Sequence, residues 1–194
     1  MSLEPFSRDD PIFRDEDVLR DSHQPETLRE RDRELEEYQS ALKPVIKGAR
    51  PRNILIYGQT GVGKTIATTM IMERLQIDQR EYDGLDVEVV QVVCKNLKNS
   101  YQAAVKLVNQ FRDSENKIPM TGYPPDSVYG FLWEHLREVD ATHVLFVLDE
   151  VDSIGSDDQI LYQLPRANDN GNVPVDETKV GVVGISNKFT FRDN

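Results

Sequence analysis

The chain has 194 residues with a net charge of −11 at pH 7, and 38% of its residues are hydrophobic. This length suits one α/β domain with a sizeable core rather than two domains of ordinary size. No apolar run approaches the ~20 residues that span a bilayer. The charged segment 1–21 lacks the apolar stretch of a signal peptide, so we expect a cytoplasmic protein. The single cysteine, Cys94, excludes an intrachain disulfide, and we expect it to be a buried thiol.

The acidic character of the chain comes from 19 Asp and 15 Glu against 14 Arg and 9 Lys. This net charge argues against a surface that attracts DNA broadly. An acidic, lysine-poor surface suits a cytoplasm of high salt, where charge repulsion is screened over short distances. We therefore hypothesise a halophilic source. An ordinary acidic protein is the alternative, and unfolding measured against KCl concentration distinguishes the two.

The first half of the chain predicts an arm, a helix, a strand and a second helix. Residues 1–24 are polar and charged and are interpreted as an N-terminal arm, with the domain at 25–194. A helix is predicted from near Thr27 to about Lys47, with Pro44 breaking or kinking it near its end. The apolar run 53–57 predicts the first strand, and 65–75 has the apolar spacing of a helix.

The second half alternates strands and helices. Three runs of β-branched or apolar residues predict further strands: 87–93, 144–148 and 180–185. Two amphipathic segments predict helices: 101–112 and 127–139, the second capped by Asp126. Residues 165–178 are polar and are interpreted as a loop. Strands that alternate with helices predict an α/β fold with a parallel sheet.

One motif stands between the first strand and the helix that follows it. Residues 58–65 read G-Q-T-G-V-G-K-T, which matches the phosphate-binding loop G-x-x-x-x-G-K-[ST]. Glycines let backbone N–H groups curl around a phosphate, Lys64 can reach the β- and γ-phosphates, and the Thr65 hydroxyl can coordinate Mg²⁺. The motif predicts nucleotide binding, with a glycine-rich turn as the alternative. The candidate binding residues are Gly58, Gln59, Thr60, Gly61, Val62, Gly63, Lys64 and Thr65.

Polar residues also follow two of the predicted strands. Asp149 and Glu150 end the buried run 144–148, at the edge where open α/β sheets bind ligands. Asp149 is the candidate metal ligand together with Thr65, and Glu150 is the candidate to orient or deprotonate an attacking water. A solvated turn is the alternative for these acids, since Asp152 follows. Asn187, after the last strand, can position that water or touch the γ-phosphate, with a strand-end turn as its alternative.

These motifs together carry a family resemblance. The segments GQTGVGKT, LFVLDEVD and GISN, in this order and spacing, resemble the AAA+ ATPases. Residues 12–20, followed by P-E-T-L-x-x-R at 25–31, resemble the start of archaeal DNA-replication initiators. These initiators are the relatives of eukaryotic origin-recognition subunit one and of the cell-division-control six loader. The resemblance runs over essentially the whole chain and implies a three-layer P-loop core with a parallel sheet.

The resemblance implies an ATP-driven switch in which the ATP-bound initiator binds origin DNA, hydrolysis resets it, and a helicase is loaded. By motif position, 58–65 is the Walker A loop, Asp149 and Glu150 are the Walker B acids, and Asn187 is the sensor-1 residue. Leu28 and Arg31 are implied to lie near the adenine. The implied cofactors are ATP or ADP and Mg²⁺. The implied partners are origin DNA, the replicative helicase and other initiator subunits, with no membrane.

The chain departs from the family pattern at its end. Family members continue past sensor 1 with an arginine finger, a fifth strand, a helical lid and a winged helix, whereas this chain stops at Asn194. The resemblance therefore implies a partial core and leaves ATP hydrolysis and DNA binding open. The alternatives are a non-catalytic nucleotide-binding regulator or fragment, and a protein-directed AAA+ signalling ATPase.

The same departure has a consequence for the sheet. In the family's strand order the fifth strand lies beside the first, so the strand at 53–57 would have an unpaired, apolar edge. Because such an edge can pair with another chain, we expect self-association that depends on concentration.

Overall fold

The structure, a computed structural model, describes residues 31–155 and 157–188. The predicted arm at 1–24 and the expected helix cap near Thr27 lie outside these residues. The helices are α1 (Asp32–Ile46), α2 (Lys64–Asp78), α3 (Ser100–Gln110), α4 (Pro125–Glu138) and α5 (Gln159–Gln163). The strands are β1 (Ile54–Tyr57), β2 (Val87–Val93), β3 (His143–Asp149) and β4 (Lys179–Ser186). Short 3-10 turns span Gln79–Glu81, Val151–Ile154 and Leu164–Arg166.

The four strands form one parallel sheet in the order β1-β4-β3-β2. All four strands predicted from the sequence are confirmed. β4, the last of the four in the chain, lies between β1 and β3. Because all strands are parallel, their carboxyl ends meet at one edge of the sheet, where open α/β folds bind ligands.

Helices cover the sheet on both faces, which gives the three layers implied by the family resemblance. On one face, α1 and α2 pack against alternate residues of β3 and β4, including Leu145, Val147 and Val183. On the other face, α3 and α4 pack against Phe146 and its neighbours. Every residue of β3 is buried, as predicted for a central parallel strand. The apolar sides of α1, α2, α3 and α4 therefore face the sheet, and the loops at the strand ends are left for function.

β1 lies at one edge of the sheet and pairs only with β4 in the part of the chain that the structure describes. Ile54 and Ile56 pack into the core, whereas Leu55 and Tyr57 point to the other face and are 39% and 41% exposed. An edge strand with exposed apolar side chains offers unpaired backbone groups to another chain. The expected self-association stays a prediction.

Two local predictions differ from the structure. The cap assigned to Asp126 is wrong, because α4 begins at Pro125 and Pro124 is its N-cap residue, without a side-chain cap. Proline is favoured at a first helical position because its φ is already helical and its missing N–H is not needed there. α1 continues through Pro44 without the predicted break and ends at Ile46, close to the predicted end near Lys47, whereas the alternative of a kink at Pro44 stays a prediction.

Two smaller observations complete the fold. Cys94 is fully buried, as expected, and burial raises the pKa of its thiol to about 12. None of the helices between residues 31 and 188 combines the length and apolar character of a bilayer span.

Candidate functional site

The candidate site lies at the carboxyl edge of the sheet, where three strands end side by side. The phosphate loop follows β1, Asn187 follows β4, and Asp149 is the last residue of β3. Because β4 lies between β1 and β3, Asn187 stands between the loop and the two acids. The topology therefore brings together the three motifs that the sequence singled out.

The phosphate loop depends on glycine at two positions. Gly61 and Gly63 have φ angles of 80° and 87°, in the left-handed region that side chains disfavour. Gly63 is also the N-cap residue of α2, which begins at Lys64. The first N–H groups of α2 lack helical partners and carry the positive end of the helix dipole toward the loop. This geometry is that of an anion-binding site at a helix N-terminus.

The ammonium of Lys64 joins the loop to the end of β4. Its Nζ donates to the carbonyl oxygens of Gly58 and Gln59 at 2.9 and 2.8 Å. It also donates to Oδ1 of Asn187 at 2.9 Å. All three donors of the ammonium are therefore used, and its charge is held over the phosphate loop.

Thr65 and Asp149 form the second contact across the site. The Thr65 hydroxyl donates to Oδ2 of Asp149 at 2.8 Å, and Asp149 is a buried residue, 6% exposed. Within the described residues, no group of three or more His, Cys, Asp or Glu is arranged to hold a metal ion. Mg²⁺ is commonly bound through one or two protein oxygens plus substrate phosphates, and a hydroxyl beside a carboxylate fits that mode.

Glu150 has an unusual backbone. Its φ and ψ are 52° and 42°, in the left-handed region, and its N–H donates to Oδ1 of Asp149 at 2.8 Å. A residue other than glycine in this region is strained, and such strain is often found at functional sites. The turn is held from the other side by Ser153, whose N–H donates to the Glu150 carbonyl at 2.9 Å. The chain therefore turns sharply at Glu150, directly after the buried β3.

Of the two residues implied to lie near the adenine, only Arg31 is described, and it is not brought to this edge. Leu28 lies outside the described residues. Arg31 is the N-cap residue of α1, and its guanidinium pairs with Glu34 at 2.9 Å rather than with the phosphate loop. The adenine contact implied for both residues stays a prediction.

Sequence reasoning gave no role to Asp152, yet the structure places it in the site. Its Oδ1 accepts a hydrogen bond of 2.9 Å from the backbone N–H of Asn187. The available signal is a third acid two residues after Glu150, which on its own indicates only a solvated turn.

Comparison with known proteins agrees with this geometry. A family model described as AAA domain matches residues 48–185, which include the phosphate loop and both acids. The chain is 61% identical over 194 residues to ORC1-type DNA replication protein 1 of Haloarcula marismortui and covers 45% of that protein. It is 46% identical over 193 residues to ORC1-type DNA replication protein 10 of Halobacterium salinarum and covers 46% of it. Both alignments span 100% of this chain, and both relatives come from halophilic archaea.

A solved structure shares the fold. The ORC1 protein of Aeropyrum pernix, solved in complex with DNA, matches with a TM-score of 0.76 and 27% identity, over 92% of this chain and 44% of that one. The chain thus spans less than half the length of these relatives. The match to the family model covers most of the chain and contains the phosphate loop and both acids, so the chain belongs to the AAA domain family.

Proposed function

We propose that this chain is the ATP-binding core of a DNA replication initiator and that it hydrolyses the ATP it binds. The observation that carries the proposal is the convergence of Lys64, Thr65, Asp149 and Asn187 from three neighbouring strand ends. The similarity to ORC1-type replication proteins supports the initiator role. A glycine-rich turn without a ligand would not need these contacts.

The nucleotide phosphates would bind at the loop and at the N-terminus of α2. Lys64 provides a charge for the β- and γ-phosphates, and the loop N–H groups provide neutral donors. Thr65 and Asp149 are the residues that would hold Mg²⁺. When bound, the metal neutralises charge that builds on the phosphoryl oxygens.

Two residues are proposed to act on the attacking water. Glu150 follows Asp149 directly, and its carboxylate has no hydrogen bond or ion pair within the described residues, so it can accept a proton or orient the water. Asn187 is a neutral amide beside Lys64 and can orient the water or contact the γ-phosphate. These roles separate nucleotide binding, through Lys64, from turnover, through Glu150.

The partners of the whole protein are proposed from its relatives. ORC1-type proteins are named for DNA replication, and the Aeropyrum pernix protein was solved in complex with DNA. We extend this to origin DNA as a partner, and to the helicase and other initiator subunits as further partners. A cytoplasmic location belongs to the same proposal, because an archaeal chromosome lies there.

Nucleotide titration tests the proposal. Fluorescent ATP should bind the wild type in the presence of Mg²⁺, and Lys64→Ala should abolish binding. Lys43→Ala is the matched control, because Lys43 is exposed in the last turn of α1, away from the loop. Equal affinity in all three proteins would overturn the assignment of the nucleotide site.

Turnover and DNA binding test the remaining parts. Glu150→Gln should keep ATP affinity and lower kcat by about 10²- to 10⁴-fold, the usual contribution of a general base. Normal turnover in this variant would show that Glu150 is not the water-activating residue. Affinity for duplex DNA should differ between ATP and ADP at one fixed salt concentration. Equal affinity with both nucleotides would contradict a nucleotide-switched DNA partner.

A further inference from the structure

Asp152 occupies a position that the proposed roles do not use. It lies in the 3-10 turn Val151–Ile154, which starts directly after the strained residue Glu150. Its side chain is half-buried and faces the end of β4, where its Oδ1 accepts from the Asn187 N–H at 2.9 Å. The turn that follows the Walker B acids is thereby tied to the end of β4, where the sensor-1 residue Asn187 stands.

The Asn187 N–H needs an acceptor because the sheet ends before it. The β1–β4 ladder ends at the pair Tyr57 and Ser186, and the β3–β4 ladder ends at Leu148 and Gly184. Beyond these pairs, no neighbouring strand in the described part of the chain supplies a carbonyl. An unpaired backbone N–H in a partly buried position is costly. A side-chain acceptor here therefore stabilises one backbone conformation at Asn187.

The next residue is held in a similar way, which fixes the direction of the chain. The Lys188 N–H donates to Oγ of Ser186 at 3.0 Å, and that hydroxyl donates to the Lys188 carbonyl. Ser186 is fully buried, so its anchor does not depend on solvent. With Asp152 on one N–H and Ser186 on the next, the backbone at Asn187 is set from two sides.

The Asn187 side chain completes the connection. Its Oδ1 accepts from Lys64, whose other two donors bind the carbonyls of Gly58 and Gln59. A continuous chain of hydrogen bonds therefore runs from Asp152 through Asn187 and Lys64 to the phosphate loop. A small shift of the Asn187 backbone would move its amide away from Lys64.

We propose that Asp152 is a positioning residue for Asn187, holding the end of β4 so that the Asn187 amide faces Lys64 and the reacting phosphate. The inference rests on the proposed ATPase function of the same site. The rival explanation is that Asp152 acts by its charge alone, as one more carboxylate near the metal-binding acids. The two differ because positioning needs an acceptor oxygen, whereas an electrostatic role needs the charge.

Substitutions at Asp152 separate these explanations. Asp152→Asn keeps an acceptor oxygen and removes the charge, and Asp152→Ala removes both. We expect Asp152→Ala to lower kcat for ATP by about ten- to hundredfold, the cost of misplacing a catalytic group, with little change in KM. Asp152→Asn should stay close to wild type. Asp176→Ala is the control, because it removes an exposed carboxylate that precedes β4, at the opposite end of this strand from Asn187.

A double-mutant cycle with Asn187→Ala gives the decisive result. If Asp152 acts through Asn187, its substitution should cost nothing further once the Asn187 amide is gone. Losses that multiply in Asp152→Ala/Asn187→Ala would overturn the proposal. A loss of equal size in Asp152→Asn and Asp152→Ala would also overturn it and favour the charge.

Amide hydrogen exchange at Asn187 provides a readout that does not need turnover. The Asn187 N–H should exchange faster in Asp152→Ala than in wild type or Asp152→Asn, with the rest of β4 unchanged. Unchanged exchange would overturn the positioning role even in an active enzyme. A wild-type chain that binds but does not hydrolyse ATP would overturn the proposed hydrolysis. In that case the exchange rates of the Asn187 N–H would by themselves decide whether Asp152 positions Asn187.

Discussion

The Thr65 hydroxyl donates a 2.8 Å hydrogen bond to Oδ2 of Asp149, joining the first turn of α2 to the end of β3 across 84 positions of the sequence. Both groups are oxygen ligands of the kind that Mg²⁺ prefers. Thr65→Ala and Asp149→Asn should each weaken Mg²⁺-dependent ATP binding by about ten- to hundredfold, the range for losing a bond to a charged group. Thr65→Ser keeps the hydroxyl and should stay near wild type. Calorimetric titrations with Mg²⁺ and with EDTA measure the effect, and equal losses in both conditions would argue against a metal role.

Because the backbone at Glu150 is left-handed, we expect glycine at this position to give a more stable protein than alanine, the reverse of the usual order. At an ordinary position, glycine destabilises a protein relative to alanine because it has more conformational freedom to lose. At a φ of 52° alanine carries a strain of about 1–2 kcal/mol that glycine does not. Glu150→Gly should therefore unfold at a higher urea concentration than Glu150→Ala. The usual order, with alanine more stable, would show that Glu150 is not strained in solution.

Gly181 in β4 is packed so closely that a larger residue at this position should destabilise the fold. A Cβ there would lie 2.5 Å from Cβ of Pro51 and 2.9 Å from Cδ2 of Leu145. Gly181→Ala should lower the free energy of unfolding by about 1–3 kcal/mol, the usual cost of overpacking. Gly130→Ala is the matched control, because a Cβ in the middle of α4 would meet no atom within 4 Å. There alanine should stabilise the protein by up to about 1 kcal/mol. Urea unfolding of both variants checks this, and equal midpoints would contradict it.

His143 predicts a loss of stability in acid. Its side chain is fully buried, its Nε2 donates to the Ala49 carbonyl at 3.0 Å, and burial lowers its pKa below the ordinary 6.5. Because the unfolded chain then binds a proton more readily than the folded one, stability is complete above pH 6.5 and falls as the pH decreases through the folded pKa. The free energy of unfolding should fall more between pH 7 and pH 5 in the wild type than in His143→Gln. Parallel pH profiles would exclude His143 as the source.

A charged side chain introduced on the edge strand β1 should reduce the self-association of the protein. Leu55 is 39% exposed on this strand, and a lysine on a sheet edge disfavours pairing with another chain. Leu55→Lys should therefore lower the concentration-dependent association of the wild type. Ile77→Lys is the control, because Ile77 is 54% exposed but lies on α2. Sedimentation velocity over a range of concentrations measures this. A wild type that stays monomeric at high concentration would contradict the expectation.

The sequence predicted those parts of the molecule that depend on local pattern. The β-branched runs 87–93 and 180–185 are strands because their residues suit an extended, buried backbone. The phosphate loop was evident because its chemistry requires glycine, lysine and threonine at fixed spacing. By contrast, α5 has five residues, too few to show a helical period.

Contacts between distant segments could not be predicted in the same way. The bond from Asn187 to Asp152 depends on where two strands end relative to each other, and no local pattern encodes that register. The start of α4 is an intermediate case. Asp126 and Pro125 both favour a helix N-terminus, and α4 begins at the proline, which is favoured at the first helical position.

The central position of β4 also determines when the four described strands can form one sheet. β1 gains its only described neighbour from a strand that follows it by more than a hundred residues, as the 129-residue separation of Asn53 and Val182 shows. Such distant pairings are slow to form because a long loop must close first. On a growing chain, β1, β2 and β3 all emerge before the strand that joins them. Lys64 and Asn187 meet in that same step, so nucleotide binding would report that the four described strands have come together.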